Sequence, residues 1–410
     1  MKILIIIINN IYVEVGATSN RWRAMVEGLA KNGAKVHLVF LGGFSSQKEF
    51  EQYGGEGEID NNISYFYSNT LLTKSLNVRR LNKYLLPLYI HLKNVFNIKK
   101  YLLDKEFDYV FVMPKLDCFR IFDSIFLNSV FKNTKLILEL NEFQDVMNDH
   151  STNPLQTYRN NIELKYLTEI ILPRVNVLIT MTKTLETYYR KFTIKNSDIV
   201  YYHLPMSVDL SRFELVNDNV ECIKPYIAYT GSSSFSKDGI DILIKGFEKI
   251  AISFPDLRLY IAAFWESDGS KMMQLIDKSE FKDRIIYLGS IDRDKIPALL
   301  KGAEMLVMPR PDSRQAQGGF PTKLGEYLAT SNPVCVTCVG EIPNYLEHKK
   351  SAYLANPSDI DSFAETVIDA LSNKKEAFEI GLNGRKVAEK YFDKDKQGIY
   401  LFDFLKKQMK

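Results

Sequence analysis

The chain has no excess of charge of either sign and no long hydrophobic run. Its 410 residues carry 53 lysines and arginines against 50 aspartates and glutamates, a net charge of +3. This balance excludes a general affinity for nucleic acid. The opening apolar run ends at Asn9 and Asn10, well short of the ~18 residues that span a bilayer. We therefore expect a buried strand there instead of a signal peptide, and a cytoplasmic protein.

Cysteine and histidine are also scarce, with four and five residues. Cys335 and Cys338 form a C-x-x-C pair, but a zinc site needs a second pair or nearby histidines, and the sequence offers neither. We predict two small residues in or beside a buried strand, and no metal site. A redox or metal use of the pair is the alternative.

Short apolar runs alternate with helical patterns along the whole chain, as in α/β proteins with parallel sheets. One series begins at residue 1, and its first helical pattern stops at Gly33; a second begins at Tyr226. A chain of this length fits two domains. We predict two Rossmann-like doubly wound domains facing a central cleft. The predicted bounds are residues 1–205, residues 206–389, and a C-terminal helix, residues 390–410, packing back on the first domain.

Residues 310–326, RPDSRQAQGGFPTKLGE, join a strand pattern to a new helix pattern. The start of a helix presents free backbone N–H groups and partial positive charge. Arg310 and Lys323 add cations, and Glu326, about one turn into the helix, can accept hydrogen bonds from hydroxyl groups. The stretch predicts a docking site for a nucleotide-sugar diphosphate. A basic surface loop before an ordinary helix is the alternative.

A second candidate opens the second series. Gly231 ends a strand, a serine-rich loop follows, and Lys237 stands just before a helix. Lys237 and the loop amides are predicted to bind phosphate oxygens, because loops at strand ends often carry function; a solvated lysine is the alternative. The predicted donor-binding residues are Gly231, Lys237, Arg310, Gly319, Phe320, Pro321, Thr322, Lys323 and Glu326.

The first series has its own polar strand ends. Gly16 and Arg21 stand at the first strand-to-helix turn, and Glu139, Asn141 and Glu142 follow or end a later strand. These five residues are the predicted acceptor or cleft residues, able to orient hydroxyl groups or assist proton transfer. Simple helix capping and solvated turn residues are the alternatives.

Residues 70–105 mix leucines and aromatics with eight lysines and arginines. An ordinary amphipathic helix pair with a solvated basic face would have this pattern, and we favour that interpretation. An interfacial membrane helix would have it too. The second interpretation places the protein peripherally at the inner face of the plasma membrane.

Residues 318–346, GGFPTKLGEYLATSNPVCVTCVGEIPNYL, resemble the GFPTKL-type branch of glycosyltransferase family 4, which has the GT-B fold. GATSNR, LITMTKTL and MSVDLSRF support the resemblance, which covers nearly the whole chain. It implies a retaining hexosyltransferase that uses a nucleotide-sugar as co-substrate and needs no metal or other cofactor. The second domain would bind the donor. The first would bind a saccharide or lipid-linked acceptor, in bacterial surface polysaccharide or glycoconjugate synthesis.

The resemblance also assigns roles to single residues. Glu326 matches the second glutamate of the family's Glu-x7-Glu motif, which binds the donor ribose. Lys237 matches a lysine that contacts the donor diphosphate, and Arg21 matches a basic residue of the first-domain loop. The implied mechanism is front-face transfer with retention, in which the leaving diphosphate is stabilised by Lys237, Arg310 and the helix start. The predicted catalytic residues are Lys237, Arg310 and Glu326.

Two positions depart from the family pattern. Gly318 stands where the first glutamate is common, and Ser232 stands near the place of a frequent arginine. We hypothesise that Arg310 and Lys323 supply the positive charge of that missing arginine. The departures motivate an alternative function as a non-catalytic GT-B accessory subunit. A nucleotide-sugar epimerase is a further alternative.

Overall fold

The computed structural model describes residues 1–14, 16–70, 87–126, 134–145, 154–194, 196, 198–214 and 221–409. The chain divides into two compact units. The first comprises Met1–Leu204 with Asp395–Lys410, and the second comprises Pro205–Lys394. Each unit is built on its own sheet, with helices in the connections between strands. The prediction of two doubly wound α/β domains is confirmed.

The first unit contains an eight-stranded sheet of order β3-β4-β2-β1-β5-β6-β7-β8. Its pairs are parallel, with β1 central and Ile5 opposite both Leu38 and Phe111. The exception is β3, which pairs antiparallel with β4 at one edge, where a purely parallel sheet was predicted. The strands are β1 (Lys2–Ile7), β2 (Lys35–Phe40), β3 (Glu56–Asp60), β4 (Ile63–Tyr67), β5 (Tyr109–Val112), β6 (Lys135–Leu140), β7 (Val177–Thr180) and β8 (Val200–His203).

Helices connect these strands and bury one face each. In the first helix, Trp22, Val26 and Leu29 are buried at helical spacing, and the Trp22 ring meets Phe111 edge to face. The helix ends just before Gly33, as the sequence predicted, and the backbone at Gly33 is left-handed. The helices are α1 (Ala17–Lys31), α2 (Gln47–Tyr53), α3 (Pro87–Leu102), α4 (Leu116–Phe126), α5 (Pro154–Tyr166) and α6 (Lys183–Arg190).

The second unit contains a six-stranded, fully parallel sheet of order β11-β10-β9-β12-β13-β14. Its central strands are buried along their length because helices cover both faces. The strands are β9 (Tyr226–Ser232), β10 (Arg258–Phe264), β11 (Ile285–Tyr287), β12 (Met305–Met308), β13 (Val334–Thr337) and β14 (Tyr353–Ala355). The carboxyl ends of β9, β12 and β13 therefore lie along one edge, where ligands of such sheets bind.

The helices of this unit pack their apolar faces on the sheet. Phe247 and Phe363 belong to one core cluster with Ile261 and Val307 of the central strands. The helices are α7 (Phe235–Asp238), α8 (Ile240–Ser253), α9 (Gly269–Lys278), α10 (Ile296–Lys301), α11 (Arg314–Gly318), α12 (Thr322–Ala329), α13 (Ile360–Ser372) and α14 (Lys374–Val387). Short π segments are Leu167–Ile171 and Ala388–Phe392, and short 3-10 segments are Leu172–Arg174, Leu210–Phe213, Lys282–Arg284, Arg293–Lys295 and Ile342–Asn344.

The last helix, α15 (Lys394–Gln408), belongs to the first unit from Asp395 onward. Its Leu401 and Leu405 are buried in the core of that unit. The hydroxyl of Tyr109 in β5 donates to the Leu405 carbonyl at 2.7 Å. The helix thus packs on the same sheet as the first strands of the chain.

Within the part of the chain that the structure describes, no helix has the length and apolarity needed to cross a bilayer. Of the basic, aromatic stretch at residues 70–105, residues 71–86 lie outside the described residues. Residues 87–105 form α3 and the turn after it.

Candidate functional site

The donor-binding residues predicted from sequence cluster at the carboxyl edge of the second sheet. Gly231 lies at the end of β9, at φ +153°, and a Cβ atom at this position would overlap the Lys323 ammonium and the Tyr229 hydroxyl. Only glycine leaves room for the lysine side chain from α12 to cross the strand end. The sequence predicted that both residues contact a ligand, and the structure brings them into contact with each other.

Lys323 is held by a buried carboxylate that the sequence did not single out. Its Nζ lies 2.6 Å from Asp238 Oδ1 and donates to the Tyr229 hydroxyl at 3.0 Å. The Ser232 hydroxyl donates to Asp238 Oδ2 at 2.6 Å. Burial alone would raise the pKa of Asp238, but the Lys323 charge and these hydrogen bonds outweigh it and lower that pKa to about 2. Asp238 is therefore ionised and balances one of the cations in this region.

Arg310 follows β12 and is only 4% exposed. Its Nε donates to the Lys237 carbonyl at 3.4 Å, and its own carbonyl accepts from Thr337 Oγ1 at 2.6 Å. Burial lowers the pKa of Lys323, and the charges of Arg310 and Lys237 lower it further. Three cations from separate segments of the chain thus lie close enough to repel one another around the carboxylate of Asp238.

The start of α12 supplies backbone donors next to these cations. Pro321 is its N-cap residue, without a side-chain cap, so the first-turn amides of Thr322 and Lys323 are not used inside the helix. Gly319 is extended, at φ −93°. The Phe320 ring is buried against Tyr345 and Phe392. The side chain of Phe320 is therefore a packing group, and only its backbone belongs to the loop at the helix start.

Glu326 lies one turn beyond Lys323 on α12, and it is part of an ion pair. Its Oε1 accepts from Arg212 Nη1 at 2.6 Å, while Arg212 Nη2 donates to the Arg293 carbonyl at 2.7 Å. The carboxylate is about a quarter exposed. Arg212 was not predicted as a site residue, although it lies in the MSVDLSRF segment that carried part of the resemblance. The guanidinium fixes the orientation of the carboxylate.

Glu266, after β10, is a third residue that the sequence did not indicate. Burial raises the pKa of its carboxyl, and it interacts with the charges of Lys237 and Lys323. Its backbone N–H donates to Ser233 Oγ at 2.8 Å. Glu266 could have been predicted from its position just after a strand of the second sheet, because ligands bind at that end of the strands.

In the first unit, two predicted acceptor residues pair with each other. Arg21 Nε lies 2.6 Å from Glu139 Oε1, and their side chains are 2% and 1% exposed. Arg21 Nη2 also donates to the Leu204 carbonyl at 2.7 Å. This buried ion pair ties α1 to the ends of β6 and β8. Contact of either side chain with a ligand stays a prediction. The role that the structure shows for the pair is structural.

The remaining predicted residues of the first unit lie in loops at the ends of strands. Gly16 is the N-cap residue of α1, with no atom within 4 Å of the place a Cβ would take. Asn141 and Glu142 are half-buried after β6, and the Glu142 carbonyl accepts from the Tyr189 hydroxyl at 3.1 Å. Their roles toward an acceptor stay predictions.

Cys335 is buried within β13, whereas Cys338 is exposed just beyond it. Burial raises the pKa of the Cys335 thiol, which makes it a poor nucleophile and a poor metal ligand. The described residues include no cluster of three histidine, cysteine or carboxylate side chains with the arrangement of a metal site.

The fit between Gly231 and Lys323 gives a stability prediction. Gly231→Ala is expected to lower the free energy of unfolding by about 1–3 kcal/mol, because the added methyl group pushes the ammonium away from Asp238. Gly55→Ala, where a Cβ meets no atom within 4 Å, is the control and should change little. Urea unfolding of both variants measures the difference; equal stabilities would mean that Lys323 does not lie against Gly231.

Residues 224–373, within the second unit, match the family model of "Glycosyl transferases group 1". Mannosylfructose-phosphate synthase from Agrobacterium fabrum (strain C58 / ATCC 33970) is 21% identical over 213 residues, which is 48% of this chain and 45% of that protein. N-acetyl-alpha-D-glucosaminyl L-malate synthase from Bacillus anthracis is 25% identical over 158 residues, 38% of each chain. The chain thus spans less than half the length of these curated relatives.

Solved structures match over nearly the whole chain. Sucrose-phosphate synthase from Thermosynechococcus elongatus superposes with a TM-score of 0.75 at 17% identity, covering 99% of this chain and 98% of that one. Anabaena HepE in complex with UDP-glucose superposes with a TM-score of 0.67 at 14% identity, covering 99% and 100%. The predicted GT-B fold is therefore confirmed.

Proposed function

We propose that this chain is a retaining glycosyltransferase that moves a sugar from a nucleotide-sugar to a saccharide or lipid-linked acceptor. The observation that carries the proposal is the cluster of Lys237, Arg310 and Lys323 beside the free amides of α12. Against the two nearby carboxylates, Asp238 and Glu266, the three cations leave one positive charge, which together with the helix amides suits a diphosphate. The cluster lies inside the region that matches the glycosyltransferase family model.

The donor is proposed to bind with its diphosphate at this cluster and its ribose at Glu326. The ion pair with Arg212 would hold the Glu326 carboxylate in one orientation to accept from ribose hydroxyl groups. A UDP-sugar is the first donor to test, because the structure of HepE was solved in complex with UDP-glucose. Acceptor binding is assigned to the first unit, with Asn141 and Glu142 as its polar groups.

For the reaction, the bond between the anomeric carbon and the diphosphate oxygen breaks, and the electron pair leaves with the phosphate. Lys237, Arg310 and the amides of Thr322 and Lys323 stabilise that developing negative charge. The acceptor hydroxyl attacks the same face of the sugar, and its proton passes to the departing phosphate oxygen. The anomeric configuration is then retained, and no protein nucleophile is required.

The deciding experiment has two measurements. Thermal unfolding is recorded with a panel of nucleotides and nucleotide-sugars, because a ligand at about 100 times its Kd stabilises the folded state by about 2.7 kcal/mol. Donor consumption is then followed with and without candidate acceptors. Binding together with slow, acceptor-stimulated consumption supports transfer. Absence of any nucleotide binding would instead favour a non-catalytic accessory subunit, and release of a sugar isomer would favour an epimerase.

A further inference from the structure

The helix α3 of the first unit exposes an apolar stripe along one side. Its members are Tyr89, Leu92, Phe96 and, just beyond the helix, Leu103, which are 58%, 58%, 69% and 71% exposed. With the exposed Lys100 they follow helical spacing, so they share one face. We call Tyr89, Leu92, Phe96, Lys100 and Leu103 the α3 stripe.

The opposite face of α3 is fixed on the unit, so the stripe has a defined orientation. Ile98 and Leu102 are buried. Asn97 Nδ2 donates to the Ser68 carbonyl at 2.9 Å, and Asn94 Nδ2 donates to the Leu41 carbonyl at 3.3 Å. A rotation of the helix that would bury the stripe would break these contacts.

A solvated helix of the same chain looks different. On α13 the exposed positions of the first two turns are Asp361 and Glu365, so charged groups face water and apolar groups face the core. The α3 stripe has the opposite character, because four of its five exposed members are apolar. Contiguous exposed apolar surface of this kind marks an interaction site.

The charges around the stripe indicate its partner. The helix α3, PLYIHLKNVFNIKKYL, contains Lys93, Lys99 and Lys100 and no acidic residue; the first acid is Asp104, after the helix ends. Aromatic and leucine side chains flanked by lysines on one helix fit the headgroup region of an anionic bilayer, where the rings and alkyl chains enter and the ammonium groups meet lipid phosphates.

We propose that the α3 stripe docks the first unit on an anionic lipid surface. The docking needs no transmembrane segment and does not depend on the proposed transfer reaction. Because α3 leads into the start of β5, its Tyr89 end points toward the carboxyl edge of the first sheet, where ligands of such sheets bind. Docking through this helix would therefore bring that edge near the membrane surface.

Cosedimentation of the full chain with vesicles tests the proposal. One set of vesicles is phosphatidylcholine, and the other is phosphatidylcholine with phosphatidylglycerol. The protein is expected to sediment with the anionic vesicles at low salt and to bind the neutral ones much more weakly. Recovery in the supernatant with both sets would overturn the proposal.

Two variants separate the apolar and electrostatic contributions. Leu92→Ser/Phe96→Ser should lower the partition coefficient by about tenfold or more, because the apolar side chains no longer enter the bilayer. Lys99→Gln/Lys100→Gln should lower it by roughly fivefold per lysine near the surface. The altered side chains of the first variant are exposed, so its unfolding temperature should equal that of the unmodified protein.

The matched control is Ile252→Ser/Phe378→Ser, which removes two exposed apolar side chains of the second unit (72% and 56% exposed). It should bind vesicles as the unmodified protein does. An equal loss of binding in this control would show non-specific adsorption and overturn the proposal. Light scattering of the unmodified protein tests for a dimer. If the protein is a dimer and Leu92→Ser/Phe96→Ser is a monomer, a second copy of the chain covers the stripe instead of lipid, and the proposal is overturned.

Discussion

Lys237→Ala is expected to lower kcat/KM for the donor by about 100-fold or more, because one positively charged donor to the leaving diphosphate is lost. The fold should not change. The main-chain N–H of Lys237 donates to Ser234 Oγ and its carbonyl accepts from Arg310, and alanine preserves both contacts. The steady-state rate of donor consumption at varied donor concentration measures the effect.

Lys245→Ala provides the control for Lys237→Ala. Lys245 is exposed on α8 of the same unit, so its removal changes the net charge equally without touching the cluster. If Lys237 acted only through the long-range electrostatic attraction between the protein and the donor, both variants should lose activity equally. That loss should also be smaller at high salt, which screens such attraction. A Lys237→Ala protein as active as Lys245→Ala would remove Lys237 from the proposed mechanism.

The sequence predicted the donor side well because that site is built from local patterns. A strand end, a glycine-bearing loop and the start of a helix can each be recognised from a short stretch of sequence. The carboxyl ends of parallel strands lie along one edge of the sheet, so residues at several such ends are expected to lie close together. Gly231 and Lys323 are 92 positions apart in the chain. Both were nevertheless predicted as donor-binding residues, and in the structure they are in contact. Their contact, however, depends on a missing Cβ and could not be read from either segment.

Pairing between charged groups could not be predicted. Asp238, beside Lys237 in the sequence, had the pattern of an ordinary helix-start residue, and only the fold shows that it holds Lys323. Arg21 and Glu139 were both selected as ligand-binding groups at strand ends, but in the structure each balances the other's charge. A sequence pattern locates charges at an edge of a sheet without showing which of them neutralise one another.

The edge of the first sheet shows a similar limit. The strand β3, EGEID, carries three acids and alternates between exposed and half-buried positions, so it has no continuous apolar run of the kind that indicated the parallel strands. Its antiparallel pairing with β4 follows from the short turn between Asp60 and Ile63. Charged side chains on such an edge strand also discourage pairing with a second molecule.

The largest stability effect is expected at Asp238. Asp238→Asn removes the charge that compensates the buried Lys323 ammonium, and breaking a buried ion pair from one side costs about 3–5 kcal/mol. The matched control is Asp361→Asn, which breaks the exposed pair of Asp361 with Lys249 and should cost about 0–1 kcal/mol. Urea unfolding of the full chain measures both, and equal midpoints for the two variants would contradict the structure.

The dependence on pH provides a second, independent measurement of the same pair. The pKa of Asp238 is about 2 in the folded state against an ordinary value of 3.8, a difference equivalent to about 2 kcal/mol of stability. Because the folded pKa is the lower one, this stability is present in full above about pH 4 and is lost as the pH falls through about 2.

Asp238→Asn should therefore be less stable at neutral pH and should lose less stability than the unmodified protein as the pH falls from about 4 to about 2. Asp238→Asn/Lys323→Met removes both charges and should recover most of the stability at neutral pH, because the buried Lys323 ammonium is removed together with its counter-charge. It should nevertheless bind the donor diphosphate more weakly, because the Lys323 ammonium is lost as a direct partner of the phosphate oxygens even though the net charge of the cluster does not change. Recovery of stability without recovery of donor binding would separate the structural role of the pair from its role in the site.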